Sequence, residues 1–414
     1  MSESGSKRHT SGRPKIILLY HYFHPDDVIS ARNFSDLAEA LANQGWSVEA
    51  WPSNRSCRDE NKAFPRHEVW QGVQINRVWR PPLRQSSTVG RLANALYMIG
   101  AWSTIALKRG QQLPNIVLIG TDPVLSVLVA GIVKRVRPQI KMAHWVHDLY
   151  PEAPLADGML KANSIFVRCL HRLLRWAYRS CDWVADLGPC MRERLEQYGH
   201  KGRKVTLVPW GVSEPMVVQR PDPIIRERLF GQARLALLYS GNFGRAHSYE
   251  TILNLARRLR HTGIQFTFAV RGNRVDELRS AVGSDDVNIR FAPFAEEKEL
   301  AQHLAAADIH LASLRTPWTG VVVPSKFFGS LAAGRPVLFA GDDNASIARW
   351  IREYRVGWHL SDSNLSELAM TLEQISQDAS GLQTMQQRCF DIYHQHFCKR
   401  HVIEQFEREL SHLL

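Results

Sequence analysis

Four stretches of this 414-residue chain bring together residue types at spacings suited to chemistry. In 321–342, VVVPSKFFGSLAAGRPVLFAGD, Ser325 suits the cap of a helix reaching position 333, because its hydroxyl can accept from an orphan amide of the first turn. Lys326 then stands where the helix dipole disfavours a cation by roughly 0.3–1 kcal/mol. A bound anion reverses that penalty, since a helix N-terminus offers several amides to a phosphate. Gly329 costs about 1 kcal/mol against alanine inside a helix and marks a place where another group approaches the backbone. Taken singly, each favours the plainer reading, an exposed lysine and a packing glycine.

The second stretch, Gly241-Asn242-Phe243-Gly244-Arg245-Ala246-His247, links an apolar strand to a helix that Ser248 is placed to cap. That is the general form of a phosphate cradle, although any tight strand-to-helix turn uses glycine in the same way. The third follows a strand at 140–146, where His147, Asp148 and Glu152 stand at the end at which open α/β sheets collect ligands. The histidine suits contact with a substrate, and the carboxylates equally suit the amides that open a helix. The fourth is 165–180, in which Arg168, Arg172, Arg175 and Arg179 repeat at helical spacing beside an apolar stripe of Phe166, Leu170, Leu173, Leu174 and Ala177 or Tyr178. Such a helix packs on its domain or faces anionic headgroups. Cys389, His394, His396 and Cys398 share no helical face and lack a CxxC, so no metal site is expected.

The hydrophobic pattern supplies two similar sets of elements to hold these groups. Residues 1–13 are polar and read as a disordered tail. From 14 to 214, strands at 15–20, 46–51, 73–78, 116–120, 140–146, 183–188 and 204–212 alternate with helices, among them one starting near Arg32 and an apolar one at 91–110. Continuous apolar runs mark parallel strands covered on both faces, so this is a Rossmann-like half of an α/β protein. Prolines mark 215–223 as a linker. A second half, 224–397, repeats the pattern with strands at 236–240, 266–270, 288–294, 308–314 and 337–339.

The pattern PSK-FFGS-LAAGRPV resembles the donor-site helix of GT-B glycosyltransferases of family 4, and the likeness extends over nearly the whole chain. The segment DLYPE at 148–152 is similar to one in the subgroup that acts on lipid-linked acceptors. The resemblance implies two Rossmann-like domains facing across a cleft, with a last helix, 398–414, returning to the first domain. It implies transfer of a sugar from a nucleotide-diphosphate donor to a glycan or polyprenyl-linked acceptor, with retention and without metal or other cofactor, in cell-surface polysaccharide synthesis. Donor contacts would come from Gly241, Asn242, Gly244, Arg245, His247, Arg271, Phe294, Gly320, Ser325 and Lys326. His147 would stand beside the transferred sugar, with Arg32, Asp148 and Glu152 on the acceptor side. The chain also departs from the family. The turn HPDDVISAR lacks its glycines, Asn242 takes the place of its arginine, His247 lies near its lysine, and its two glutamates fall at Val321 and Gly329. A degenerate, non-catalytic nucleotide-binding module and a sugar-nucleotide 2-epimerase are the competing readings. The epimerase needs carboxylates in the cleft, and the C-terminal half offers none at the usual helix.

Composition bounds the partners. With 52 Lys+Arg against 40 Asp+Glu the net charge is +12, so the chain should meet a phosphorylated small molecule or an anionic membrane surface. Nucleic acid is not expected, because the arginines lie along separate helices without interleaved aromatics. Six cysteines show no pairing pattern, which suits a reducing compartment. No run approaches the ~20 apolar residues of a spanning helix, and the polar start has no signal-like core. The expected location is cytoplasmic, peripheral on the inner face of the plasma membrane.

Overall fold

The computed structural model describes residues 13–26, 28–85, 87–108, 113–211 and 214–414. The tail expected at 1–13 lies outside the described residues except for Arg13, as do the ends of the helix expected at 91–110 and of the strand expected at 204–212.

The apolar runs of the first half become β1 (Lys15–Leu19), β2 (Ser47–Ala50), β4 (Val73–Asn76), β5 (Ile116–Gly120), β6 (Lys141–Trp145), β7 (Trp183–Asp186) and β8 (Arg203–Thr206). One further strand, β3 (His67–Trp70), pairs antiparallel with β4 at the sheet edge. Its residues are at most half-buried, so the sequence HEVW shows no apolar run. The sheet order is β3-β4-β2-β1-β5-β6-β7-β8, and every other pairing is parallel. The second half forms β9 (Leu235–Asn242), β10 (Ile264–Arg271), β11 (Ile289–Phe291), β12 (Ile309–Ser313), β13 (Val337–Ala340) and β14 (Gly357–Leu360). These are all parallel, in the order β11-β10-β9-β12-β13-β14. Strand order reverses beside β1 in one sheet and beside β9 in the other, and open α/β sheets bind ligands at such points.

The last helix, Lys399–Ser411, lies on the first domain. The Phe406 ring is 4.6 Å from Trp145 and 5.8 Å from Trp183, and Glu409 pairs with Arg203 and accepts from the Trp183 indole. The chain therefore has the GT-B arrangement of two Rossmann-like domains and a returning helix. One apolar core runs from β1 through the helix Lys326–Ala332 to Phe406, so the domains meet over packed side chains rather than water. Along this seam the Leu149 amide donates to Val321 O at 3.0 Å, and Cys190 Sγ lies 2.8 Å from Ser346 Oγ.

Phe406 is fully buried between two indoles. Phe406→Ala should lower unfolding free energy by about 3–5 kcal/mol, which urea denaturation measures. A loss within ordinary surface-mutation range would show that the returning helix does not hold the first domain.

Candidate active site

β9 ends in Gly241 and Asn242, and the conformation of Gly241 decides what can lie across that end. Its φ of +123° is in the region that favours glycine, and a Cβ there would stand 3.0 Å from Lys326 Cε. The lysine side chain thus crosses the strand end, where its ammonium donates to Asn242 O at 2.7 Å and to His247 Nε2 at 3.2 Å. His247 Nδ1 is 2.8 Å from Ser313 O, and a carbonyl only accepts, so Nδ1 carries the proton and Nε2 presents a lone pair to the lysine. Burial, then the lysine charge, presses His247 down to about 3, which leaves it neutral. Burial alone presses the half-buried Lys326 ammonium down to about 7. The ammonium also lies 5.4 Å from the centre of the Tyr239 ring.

Lys326 lines a cavity of about 210 Å³ together with Gly241, Asn242, Arg271, Phe294, Ser325 and Gly329. The Arg271 guanidinium stands 4.1 Å from the centre of the Phe294 ring and forms a flat cationic and aromatic wall. A Cβ at Gly329 would meet nothing within 4 Å, so the glycine opens the helix to the cavity rather than admitting a protein neighbour. Trp210, His310 and Ser330 also line this space and were not singled out by the sequence. His310 is hidden inside the apolar run of β12 and Ser330 inside a run of small residues, so neither pattern separates them from core.

Other expectations do not hold in the same form. Ser325 has helical dihedrals (φ −62°, ψ −16°) and makes no cap hydrogen bond, because a capping hydroxyl needs an extended backbone to reach the next amides. Ser248 is not a cap either. The next helix starts at Glu250, whose carboxylate takes the Tyr249 amide at 2.9 Å. Arg245 turns away from the cavity to pair with Asp157 of the first domain, which also holds Arg315 at 3.4 Å. Gly244 backs the turn behind the Asn242 side chain. Gly320, at φ +76°, leaves no room for a Cβ against Cys190 O and Arg194, so its role is close packing at the seam.

In the first domain, the His147 amide donates to Thr121 Oγ1 at 2.8 Å and its ring packs against Trp145 at 4.4 Å and Phe34 at 5.9 Å. Both ring nitrogens are buried without a partner among the described residues. Burial, and then His144, presses the imidazole down to about 3. A neutral ring with one donor and one acceptor unspent matches a sugar hydroxyl, which is both. The Asp148 carboxyl is pushed up to about 6 by burial and then by Asp122. Asp122, just after β5 and 3.3 Å from His21 Nδ1, was missed, although its place after the apolar run IVLIG is a readable signal. Glu152 is not on the cleft. It is buried, accepting from Gln197 Nε2 at 2.7 Å and from the Tyr198 hydroxyl, so two donors beyond the helix Pro189–Glu196 draw it inward. Arg32 lines a separate cavity, next to the first.

Residues 30–211 match the family model of the glycosyl transferase 4-like domain. A probable glycosyltransferase of Pseudomonas aeruginosa, WbjE, is 29% identical over 275 residues, which span 65% of this chain and 68% of that one. The structure of Anabaena HepE in complex with UDP superposes with a TM-score of 0.66 at 13% identity, over 96% of this chain and 99% of that one. WaaG, a glycosyltransferase involved in lipopolysaccharide biosynthesis, does so with a TM-score of 0.61 at 16% identity, over 96% and 99%.

An anion entering the cavity meets the ammonium only while Lys326 holds its proton, below about pH 7. UDP affinity should therefore be highest on the acid side and fall as pH rises through that value. Lys326→Ala should lose about 1.5–3 kcal/mol of binding below it and converge with wild type above it. Calorimetry at several pH values checks this, and a pH-independent gap between the two proteins would show that Lys326 stays protonated across the range and does not titrate near 7.

Proposed function

Because this chain carries a glycosyl transferase 4-like domain in a GT-B fold, we propose that it moves a sugar from a nucleotide-diphosphate donor to a polyprenyl-linked glycan in cell-surface polysaccharide assembly. The observation that carries the proposal is the convergence of an uncompensated ammonium, two strand-end residues and a cation–aromatic wall on one cavity. Leaving-group charge is what such a reaction must stabilise, and a fixed cation in a water-poor site does this without reorganising. Lys326 would hold the diphosphate, with Arg271 and Phe294 flanking the base. The sugar would reach the unspent nitrogens of His147. The donor phosphate, rather than a protein base, would draw the proton from the acceptor hydroxyl, which gives retention without a metal.

One observation favours a second reading, a nucleotide-binding module without catalysis. Val321 is fully buried at the seam and Gly329 is open, so neither site of the family's glutamates carries a carboxylate. Turnover of a nucleotide sugar decides between them. In the transferase, His147→Ala should lower kcat far more than donor affinity, since its contact is made to the reacting sugar. Parallel loss of melting temperature and activity would make His147 structural.

The acceptor side of the proposal rests on the helix Ile165–Arg179. Its core face is Val167, Leu174, Ala177 and Tyr178, which corrects the expected stripe, because Phe166 and Leu173 face solvent. Ile165 is 77% and Phe166 63% exposed, with Leu173 and Trp176 beside Arg168, Arg172, Arg175 and Arg179. This helix packs on Leu128–Val136, which packs on Thr88–Lys108, and the three contain no Asp or Glu. No helix among the described residues is long and apolar enough to cross a membrane. A layer that is basic, acid-free and studded with exposed apolar side chains suits an anionic bilayer surface, at about 1 kcal/mol per basic residue. The chain should bind vesicles containing anionic lipid in a salt-sensitive way, and neutral vesicles little. Replacing the four arginines by glutamine should abolish the binding while UDP affinity persists. Indifference of the wild type to anionic vesicles at low salt would point to a soluble acceptor.

A further inference from the structure

Between the Lys326 ammonium and the Arg271–Phe294 wall, the cavity of the second domain turns apolar. The helix Glu297–Ala306 runs from β11 to β12, and the sheet order β11-β10-β9-β12 sets it over β10 and β9, between Phe294 and the helix of Lys326. It brings the half-buried Leu300 and Leu304 to the cavity, backed by Leu238 and Leu311. The polar groups that reach this stretch are spent on the protein. His310 Nε2 is 2.9 Å from Leu304 O and so carries the proton, which leaves Nδ1 to accept from the Ser330 hydroxyl at 2.8 Å. Ser330 Oγ also lies 2.7 Å from Lys326 O, so its one proton is in demand twice. The other two hydroxyls of the cavity, on Ser240 and Ser325, adjoin Gly241 and Lys326 in sequence and stand at the ammonium end. No carboxylate lines the cavity among the described residues.

Gly329 completes this apolar stretch. It follows Lys326 by one helical turn on the same face. A Cβ there would meet nothing within 4 Å, so packing against the protein does not call for a glycine. Any longer residue would send a side chain into the cavity, and a polar one would offer a hydrogen bond to whatever lies there. Glycine offers none.

In a nucleoside diphosphate the pentose joins the phosphates to the base. With the diphosphate on Lys326 and the base beside Arg271 and Phe294, the pentose falls against Gly329, Leu300 and Leu304. Its 3′ carbon is on the phosphate side of the ring, towards the two serines. Its 2′ carbon adjoins the one that bears the base, so its substituent meets the leucines and the glycine. A hydroxyl at that place gives up water and finds no partner, whereas a methylene gives up nothing. We infer that this pocket selects 2′-deoxyribonucleoside diphosphates over ribonucleoside diphosphates, with Gly329 as the specificity-determining residue. The inference rests on the donor site proposed above and names the class of its nucleotide. An apolar pocket rejects one added hydroxyl only partly, by about 100-fold at most, so UDP still binds.

UDP and dUDP share base and diphosphate, and calorimetry of the full chain with each isolates the hydroxyl. Below about pH 7, where Lys326 is protonated, dUDP should bind about tenfold more tightly than UDP. In Gly329→Gln the gap should close or reverse, because the amide accepts from a hydroxyl without the charge that would pair with Lys326. Cooperative melting checks that this variant folds, and the wild-type comparison stands without it. Wild-type protein that binds UDP as tightly as dUDP, or more tightly, overturns the inference, as does a gap unchanged in a folded Gly329→Gln. The donor site itself survives both of those results, since a nucleotide still binds. Binding of neither nucleotide overturns the donor site and this inference with it.

Discussion

The half-buried ammonium of Lys326 imposes the tightest demands on this cleft, because burial works against its charge and no carboxylate among the described residues answers it. The protein meets the charge with dipoles instead of a counter-ion. Asn242 O and the Nε2 lone pair of His247 accept from it, and that lone pair exists only because Nδ1 donates to Ser313 O. The arrangement therefore fixes the end of β9, the end of β12 and the first turn of the helix Lys326–Ala332 against one another. Arg274 adds a further tie by donating to His247 O. Neutral acceptors of this kind offset only part of the desolvation of a cation. In the reaction proposed above, an incoming anion would relieve the remainder.

The loop that delivers Lys326 is held by the other domain. Arg194 donates to Thr319 O and, at 3.3 Å, to Pro317 O, and Leu149 ties the end of the His147 segment to Val321. Gly320 permits this approach because no side chain intervenes at Cys190. Exposed ion pairs such as Arg349 with Glu193, 2.6 Å apart, contribute little each. The shared apolar core and the backbone bonds hold the seam, and they keep the imidazole of one domain in a set relation to the ammonium of the other.

Much of this was legible before any coordinates. Apolar runs and the turn glycines located both sheets, and the lysine placed against the helix dipole marked the cavity. What could not be read was direction. Arg245 sits in the loop that the pattern singles out, yet its side chain leaves for Asp157, and a linear sequence carries no information about that partner. Glu152 looked like a cleft carboxylate, but Tyr198, forty-six positions away in sequence, claims it. The stripe in 165–179 was displaced because a helix with apolar residues on two flanks has two candidate core faces, and only Leu128–Val136 chooses between them. Ser325 failed as a cap because its own dihedrals are helical, and Ser248 because the helix starts later, at Glu250.

The missing glutamates have a physical reading in this fold. A carboxylate at 329 would stand three residues from Lys326 on the same helix, within pairing distance, and would spend the charge that the cavity otherwise keeps. A carboxylate at 321 would be buried in a dry seam where Val321 now has no exposed surface, at a cost of several kcal/mol unless paired. Glycine and valine thus leave the second domain's wall purely cationic. Carboxylates stand after the first domain's strand ends, at Asp122 and at Asp148, whose raised affinity for a proton reflects its burial and then the nearby charge of Asp122. The segment after β6 that carries Asp148 meets the loop ahead of Lys326, where the Leu149 amide donates to Val321 O.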